Sequence, residues 1–318
     1  MKVLITGCAG FIGSNLAKQL VKNNVPIVGV DNFFGNYDVS LKRKNIAPIL
    51  ESKLAEFIEG DINGQKLFEW LSKKSITHVV HLAARTGVRD SSKYPGEYLK
   101  TNIIGSLNVL NFARDNKIKS VVLASTSSAY GKNKTPFNEE QKVSTPLNIY
   151  AASKIGMENL AHSFHHLYGT PITILRFFTV YGPGGRPDMA VYKFADLISK
   201  GKQIEVYGDG KAKRDFTYVS DATDGILLAL EKPKGFDTFN IGNSDSRSVS
   251  ELIMLLEKNF GKKAKIIYSG KRKEDAEATL ADISKARATL GFSPKVGLEE
   301  GVKLFTAWFR QHRKNNAF

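Results

Sequence analysis

The feature that most constrains this chain is a repeated alternation in its first 177 residues. Short runs rich in β-branched residues, "KVLIT", "PIVGV", "AEFIEG", "HVVHLA", "SVVLAS" and "ITILRF", are separated by stretches of helical periodicity such as "FIGSNLAKQLVKN" and "NIIGSLNVLNFARDN". The runs are nearly continuous in apolar residues rather than apolar at every second one. That pattern marks strands covered on both faces, as in parallel sheets. Parallel neighbours need crossover helices, so the alternation predicts an α/β chain with a doubly wound parallel sheet. Beyond residue 178 the rhythm loosens, with glycine and proline punctuating "YGPGGRPDM" and "VYGDGKAKRD". A smaller C-terminal substrate-binding domain is expected there, dividing the chain at 1–177 and 178–318. Within it, a segment near 216–242 containing "TFNIG" either returns to the main sheet or pairs locally.

Composition narrows the setting. The one cysteine, Cys8, excludes an intramolecular disulfide and a multi-cysteine metal site, and fits a reducing compartment. "MKVLITGCAG" has too short an apolar run for a signal peptide, and no stretch approaches the ~20 apolar residues of a membrane span, so a cytoplasmic protein without a membrane span is expected. The formal net charge is +15. Such a balance either serves to hold anions or solubilises the surface. No basic stretch is interleaved with aromatics in the manner of RNA readers, so nucleic acid is not the expected partner. The six histidines show no metal-ligand spacing and no metal site is expected.

"TGCAGFIGSNL" follows the first strand and opens a helix, with Gly7, Gly10 and Gly13 in a GxxGxxG spacing. Glycines let a backbone turn tightly against a pyrophosphate, and the helix start offers amide hydrogens and positive dipole. A strand before and a helix after give the triplet its weight. Asp31 ends the second strand, 18 residues past Gly13. A carboxylate there either bonds the two ribose hydroxyls of an adenosine, favouring NAD over NADP, or caps a turn. Asp61 ends the third strand, within reach of an adenine amino group. "HLAAR" ends the fourth, where Ala83 and Ala84 are small enough for a ribose to pass. Together these strand ends define one sheet edge, the place where ligands of open α/β sheets bind.

"YAASK" places Tyr150 and Lys154 four residues apart, on one face of a helix. A tyrosine of ordinary pKa near 10 is a poor base. A neighbouring ammonium and a cationic nicotinamide favour its phenolate. The pair can then take a proton from a sugar hydroxyl as hydride leaves the same carbon.

Taken together, the TGxxGxIG loop, the Asp31 strand end, "STSSAYG", "YAASK", "RFFTVYGPGGRPDMA", "RDFTYVSD" and "ISKARATLGFSPKVGLEEGV" resemble, in order and over nearly the whole chain, the extended short-chain dehydrogenases/reductases of the NAD-dependent sugar epimerase/dehydratase family. Within that family the resemblance is greatest to the UDP-glucuronate 4-epimerases. It implies a Rossmann-like fold and a catalytic set of Thr126, Tyr150 and Lys154. The implied NAD contacts come from Gly7, Gly10, Phe11, Ile12, Gly13, Asp31, Asn32, Lys42, Asp61, Ile62, Leu82, Ala83, Ala84 and Asn102, with Tyr150 and Lys154. Relatives that dehydrate or decarboxylate sugars station an acid at the position of Ser128, and dehydratases also at that of Ser127. Serine is no efficient acid or base near neutral pH but can donate to a carboxylate. The serines therefore argue against elimination and for a carboxylated sugar. By the same resemblance, Thr179 and Arg186 join Ser127 and Ser128 around the C6 carboxylate. The implied UDP contacts are Val206, Tyr207, Arg214, Arg272 and Asp275; Arg89 and Met189 are further expected substrate contacts, with Met189 equally placed to belong to the core. Gly185 departs from plant-type relatives, which carry tryptophan there, and this leaves substrate stringency open. The implied reaction is reversible C4 epimerisation of UDP-glucuronate to UDP-galacturonate through a 4-keto sugar. The alternatives are a 4-epimerase for UDP-glucose or UDP-N-acetylglucosamine and, further off, a UDP-glucuronate decarboxylase. The family's mode of association implies a homodimer through the helices of "EYLKTNIIGSLNVLNFARDN" and "NIYAASKIGMENLAHSFHHLYG".

Overall fold

A computed structural model describes residues 1–35, 37–233, 235–270 and 276–314. Its first half alternates β1 (Val3–Thr6), α1 (Phe11–Lys22), β2 (Ile27–Asp31), α2 (Val39–Leu50), β3 (Ala55–Glu59), α3 (Gln65–Leu71) and β4 (His78–His81). Helices α4 (Val88–Lys93) and α5 (Pro95–Leu99) follow, then a widened π-helical turn at Lys100–Gly105 that runs into α6 (Ser106–Asp115). Next come β5 (Ser120–Thr126), α7 (Ile149–Tyr168), β6 (Ile172–Phe177) and β7 (Thr179–Tyr181). The remainder is α8 (Ala190–Ser199), β8 (Gln203–Tyr207), β9 (Lys213–Tyr218), α9 (Val219–Glu231), β10 (Phe236–Ile241), β11 (Ser246–Ser248), α10 (Val249–Phe260), β12 (Lys265–Ser269), α11 (Ser284–Leu290) and α12 (Leu298–Lys314).

Seven parallel strands form the main sheet in the order β10-β6-β5-β4-β1-β2-β3. The order reverses at β1, so the chain winds to both sides of that strand and opens a crevice at its carboxyl end. Strand period explains why every residue of β1 is apolar or buried. Val3 and Ile5 enter one core with Leu16 and Ala17 of α1 and Ile226 of α9, while Leu4 enters the opposite core with Leu110 of α6 and Met157 of α7. The "TFNIG" segment lies in β10 and pairs in parallel with β6, so it returns to the main sheet. Strands β7, β9 and β11 form a separate three-stranded sheet, and β8 and β12 a parallel pair. A third apolar core beneath these joins Val191, Phe194 and Ile198 of α8 to Leu252 of α10 and to Val302, Phe305 and Phe309 of α12. Among the described residues no helix is long and apolar enough to cross a membrane.

Candidate active site

The carboxyl ends of the main strands open into a cleft of about 790 Å³. At one end is the glycine loop. A Cβ on Gly13 would stand 2.2 Å from the Gly7 carbonyl oxygen, and one on Gly7, whose φ is +72°, would stand 2.7 Å from the Ala83 backbone nitrogen. Both positions therefore require glycine. Helix α1 starts at Gly10 with no side-chain cap and no acidic residue in its first turn, which leaves its amide hydrogens and positive dipole for an anion. Asp31, buried at the tip of β2, accepts hydrogen bonds from the backbone of Ala9 (3.1 Å) and Phe33 (2.8 Å), and the Lys42 ammonium lies 3.8 Å from its carboxylate. The carboxylate thus ties the loop to β2 and still has lone pairs to offer. Lys42 is itself buried, and burial lowers its pKa while Asp31 opposes the shift, so the lysine is engaged with Asp31. Asn32 donates to Asp61 at 3.0 Å across the next strand end. Phe11, Ile12, Ile62, Leu82, Ala83 and Ala84 complete this part of the wall. These features fit a dinucleotide: a bare helix start for the pyrophosphate, an acid for ribose and small residues along the floor.

Asn102 stands behind the wall. It is 1% exposed, accepts from the Arg85 backbone (2.8 Å) and donates to the Arg85 carbonyl (3.0 Å) and the Ser153 hydroxyl (2.9 Å). It does not line the cleft; it shapes the strand end that does.

At the other end stand Thr126, Ser127 and Ser128, delivered by β5, and Tyr150 and Lys154, delivered by α7. Asn148 caps α7 by accepting from Ala151, and the helix buries Ala151, Lys154, Met157, Glu158, Ala161 and Phe164 along one stripe. Tyr150 packs edge-on against Tyr98 at 6.4 Å between ring centroids. Burial raises the Tyr150 phenol above its usual range; the nearby Thr126 hydroxyl and the charge of Arg186 pull it back. In the protein alone Tyr150 is therefore a neutral phenol. Arg186 adds a positive charge that bears on Tyr150, beyond the lysine that the sequence pattern points to. Lys154 is 3% exposed, and burial pulls its pKa down to about 8 against the opposing effect of Glu158. Its ammonium donates to the Met157 sulfur at 3.5 Å.

Arg186 reaches the cleft from the loop after β7. Its fork is filled by Asp188 (Nε to Oδ1 3.0 Å, Nη2 to Oδ2 2.5 Å), and Nη1 donates to the Thr86 hydroxyl. Neither Asp188 nor Thr86 is singled out by the sequence pattern, although Asp188 lies inside "GGRPDMA" and an i, i+2 acid is a natural partner for such an arginine. Thr179, Arg186 and Met189 line both this cleft and an adjoining one of about 1240 Å³. The second cleft also holds Val206, Tyr207, Arg89 and Arg214. Arg89 stacks over the Tyr207 ring at 5.1 Å, and Tyr207 donates to Glu205 at 2.6 Å. Arg214 donates to the Lys213 carbonyl at 2.8 Å. Val206 is 2% exposed and also belongs to the core below. Arg272 and Asp275 lie outside the described residues.

A doubly wound sheet with a glycine-rich loop at its switch point and a tyrosine–lysine pair on the helix after β5, two strands away, defines a dinucleotide-binding enzyme of the short-chain dehydrogenase/reductase type. Within that class the chain belongs to the NAD dependent epimerase/dehydratase family, whose family model matches residues 3–242. It is 43% identical to a UDP-glucuronate 4-epimerase of Thermodesulfobacterium geofontis, over 97% of this chain and 96% of that one. Among solved structures it resembles the UDP-glucuronic acid 4-epimerase of Bacillus cereus in complex with UDP-glucuronic acid and NAD (TM-score 0.94, 37% identity, 98% of this chain and 100% of that one). It also resembles a UDP-glucose 4-epimerase of Thermotoga maritima with UDP-glucose (TM-score 0.90, 34% identity, 98% and 100%).

Proposed function

We propose that this protein interconverts UDP-glucuronate and UDP-galacturonate by inverting C4 through a 4-keto sugar. The observation that carries the choice of an acidic sugar is the Arg186 guanidinium in the same cleft as Tyr150, with serines, not carboxylates, at positions 127 and 128. The relatives named above support the same reading.

Gly7, Gly10, Gly13, Asp31 and the strand ends at Asp61 and Ala83 would hold NAD. Bound there, NAD supplies a hydride acceptor, a hydride donor and a positive ring charge at the sugar. The chain's own residues manage the proton and the pose. Tyr150 removes the O4 proton, with Thr126 fixing the reacting hydroxyl by hydrogen bond. Lys154 and Arg186 favour the phenolate form of Tyr150 that accepts this proton, and the step leaves Tyr150 as the phenol. Once the 4-keto sugar has turned about its diphosphate link, Tyr150 returns the proton to O4 from the opposite face. The keto acid is a β-keto acid and tends to lose CO₂. Ser127, Ser128, Thr179 and Arg186 hold its carboxylate out of the alignment that C–C cleavage needs. Arg89, Tyr207, Arg214, Met189 and Val206 take the nucleotide, together with Arg272 and Asp275. The division of labour is a cofactor-binding part at 1–177, to which β10 contributes, and a mainly nucleotide-sugar-binding part at 178–318. A homodimer is part of the proposal, supported by exposed apolar side chains on the helices concerned, among them Leu99, Ile104, Ile149 and Leu167.

Incubation with a panel of UDP-sugars and identification of the products tests the reading. Conversion of UDP-glucuronate is expected, with UDP-glucose turned over far more slowly; preferential turnover of UDP-glucose would favour the neutral-sugar alternative that the Thermotoga maritima relative represents. Arg186→Met and Ser127→Ala are expected to release UDP-pentose alongside epimer. If neither the epimerisation rate nor the product distribution changes in either variant, the carboxylate cage is wrong.

A further inference from the structure

Glu158 lies one helical turn past Lys154, on the same face of α7, and the mechanism above gives it no task. It is 6% exposed, and its carboxylate is held on two sides. Arg176 of β6 forks onto it, Nε to Oε1 at 3.1 Å and Nη2 to Oε2 at 2.6 Å, and the Ser125 hydroxyl donates to Oε1. Arg176 is fixed in turn by donating to the Tyr130 hydroxyl at 3.1 Å, and Tyr130 donates to Asn240 of β10 at 2.7 Å. Three strands of the main sheet thus fix one carboxylate a helical turn away from Lys154.

The lysine needs such a neighbour. An ammonium with almost no exposure tends to shed its proton. Its hydrogen bond to a thioether is weak compensation. Among the described residues the ionisable groups around it are few. On its own helix are Tyr150 and Glu158. On β4 is His81, which burial and the Lys154 charge push down to about 3, so it is neutral; its two ring nitrogens bond Thr6 (2.7 Å) and Ser106 (2.9 Å). On β6 is Arg176, a like charge, forked onto Glu158; across the cleft is Arg186, another like charge. Glu158 is the acid that opposes the effect of burial on Lys154. Stability alone does not call for this arrangement, because a buried ion pair is commonly replaced by apolar groups at no loss.

We propose that Glu158 is a positioning residue: anchored by Ser125 and Arg176, it keeps the Lys154 ammonium charged at the pH where Tyr150 works. The proposal rests on the reading of Tyr150 and Lys154 given above. It deepens that reading by assigning the alkaline limit of the reaction to a side chain that touches neither substrate nor cofactor.

The test is the pH profile of kcat for Glu158→Gln with saturating UDP-glucuronate, beside the ionisation midpoint of Lys154 read by pH-dependent acylation and peptide mass spectrometry. Loss of the charge is expected to move both midpoints down by about one pH unit. Activity then matches wild type near pH 6 and falls about tenfold below it near pH 9. A uniform loss at every pH, or an unmoved profile, overturns the proposal, since either is what a purely structural residue gives. If Glu158→Gln does not fold because Arg176 is stranded, the uncharged pair Glu158→Gln with Arg176→Met must shift both midpoints in the same direction, by less because the like charge of Arg176 leaves with the acid, and an unmoved or upward-shifted midpoint is equally fatal. Because the acylation midpoint needs no turnover, wild-type protein inactive on UDP-glucuronate would refute the substrate reading while the Lys154 shift still decides the role of Glu158.

Discussion

Replacing Asp188 by asparagine tests how the cleft chooses a carboxylated sugar. In the structure both N–H groups of one edge of Arg186 are spent on Asp188. A substrate carboxylate that takes that edge must displace an internal one. Charge-assisted hydrogen bonds of this kind contribute roughly 1.5–3 kcal/mol when buried. The Asp188 side chain is 47% exposed, so solvent screening reduces the net hold to about 1 kcal/mol. Asparagine keeps the shape and one acceptor oxygen but removes the charge, and most of that 1 kcal/mol becomes available to the substrate. The expected outcome is a KM for UDP-glucuronate about three- to fivefold lower, with no comparable change for UDP-glucose. Initial rates over a range of concentrations of each sugar measure it. A KM for UDP-glucuronate that rises instead would refute the reasoning, because it would mean that Asp188 aims Arg186 at the substrate and does not compete for it.

Two further outcomes follow from the same geometry. Burial lowers the Lys154 pKa from its ordinary 10.5 to about 8, so between those values the unfolded chain binds a proton that the folded chain does not, and wild-type stability rises with pH across that window. Lys154→Met should therefore abolish turnover yet stabilise the fold by about 2–3 kcal/mol at pH 7, with the gain shrinking as pH approaches 10.5; melting curves at pH 7 and 10 would show it, and a destabilised variant at pH 7 would contradict it. Gly13→Ala forces a Cβ to within 2.2 Å of the Gly7 carbonyl and should cost about 2–3 kcal/mol with loss of NAD binding, measured by denaturant titration and fluorescence; a variant of wild-type stability would mean that the loop yields more easily than its packing suggests.

Much of this protein was legible in order along the chain. The six β-runs, the glycine triplet, the Asp31 strand end and the Tyr150–Lys154 spacing are all local patterns. Strand and helix periodicity fixes which way neighbours a few residues apart will point, so such patterns survive in a bare sequence. The same periodicity, carried one turn further, would have reached Glu158. What remained hidden were meetings between distant segments. Arg186 acts on Tyr150 from 36 residues away, through the loop after β7, and its fork is occupied before any substrate arrives. Asn102 belongs by pattern with the cofactor contacts, yet the widened turn at Lys100–Gly105 sets it behind the cleft wall, bonded to Arg85 and Ser153. "TFNIG" could have paired locally, and only the packing of α9 against α1 and the open edge of β6 brings it into the main sheet as β10. The sequence by itself determined the alternation, the turns and the spacing of reactive groups, because these depend on short-range backbone geometry. The tertiary structure decided which charge faces Tyr150, which acid supports Lys154 and which carboxylate already fills Arg186, because those depend on how separate elements pack and on how strongly burial penalises an unpaired charge.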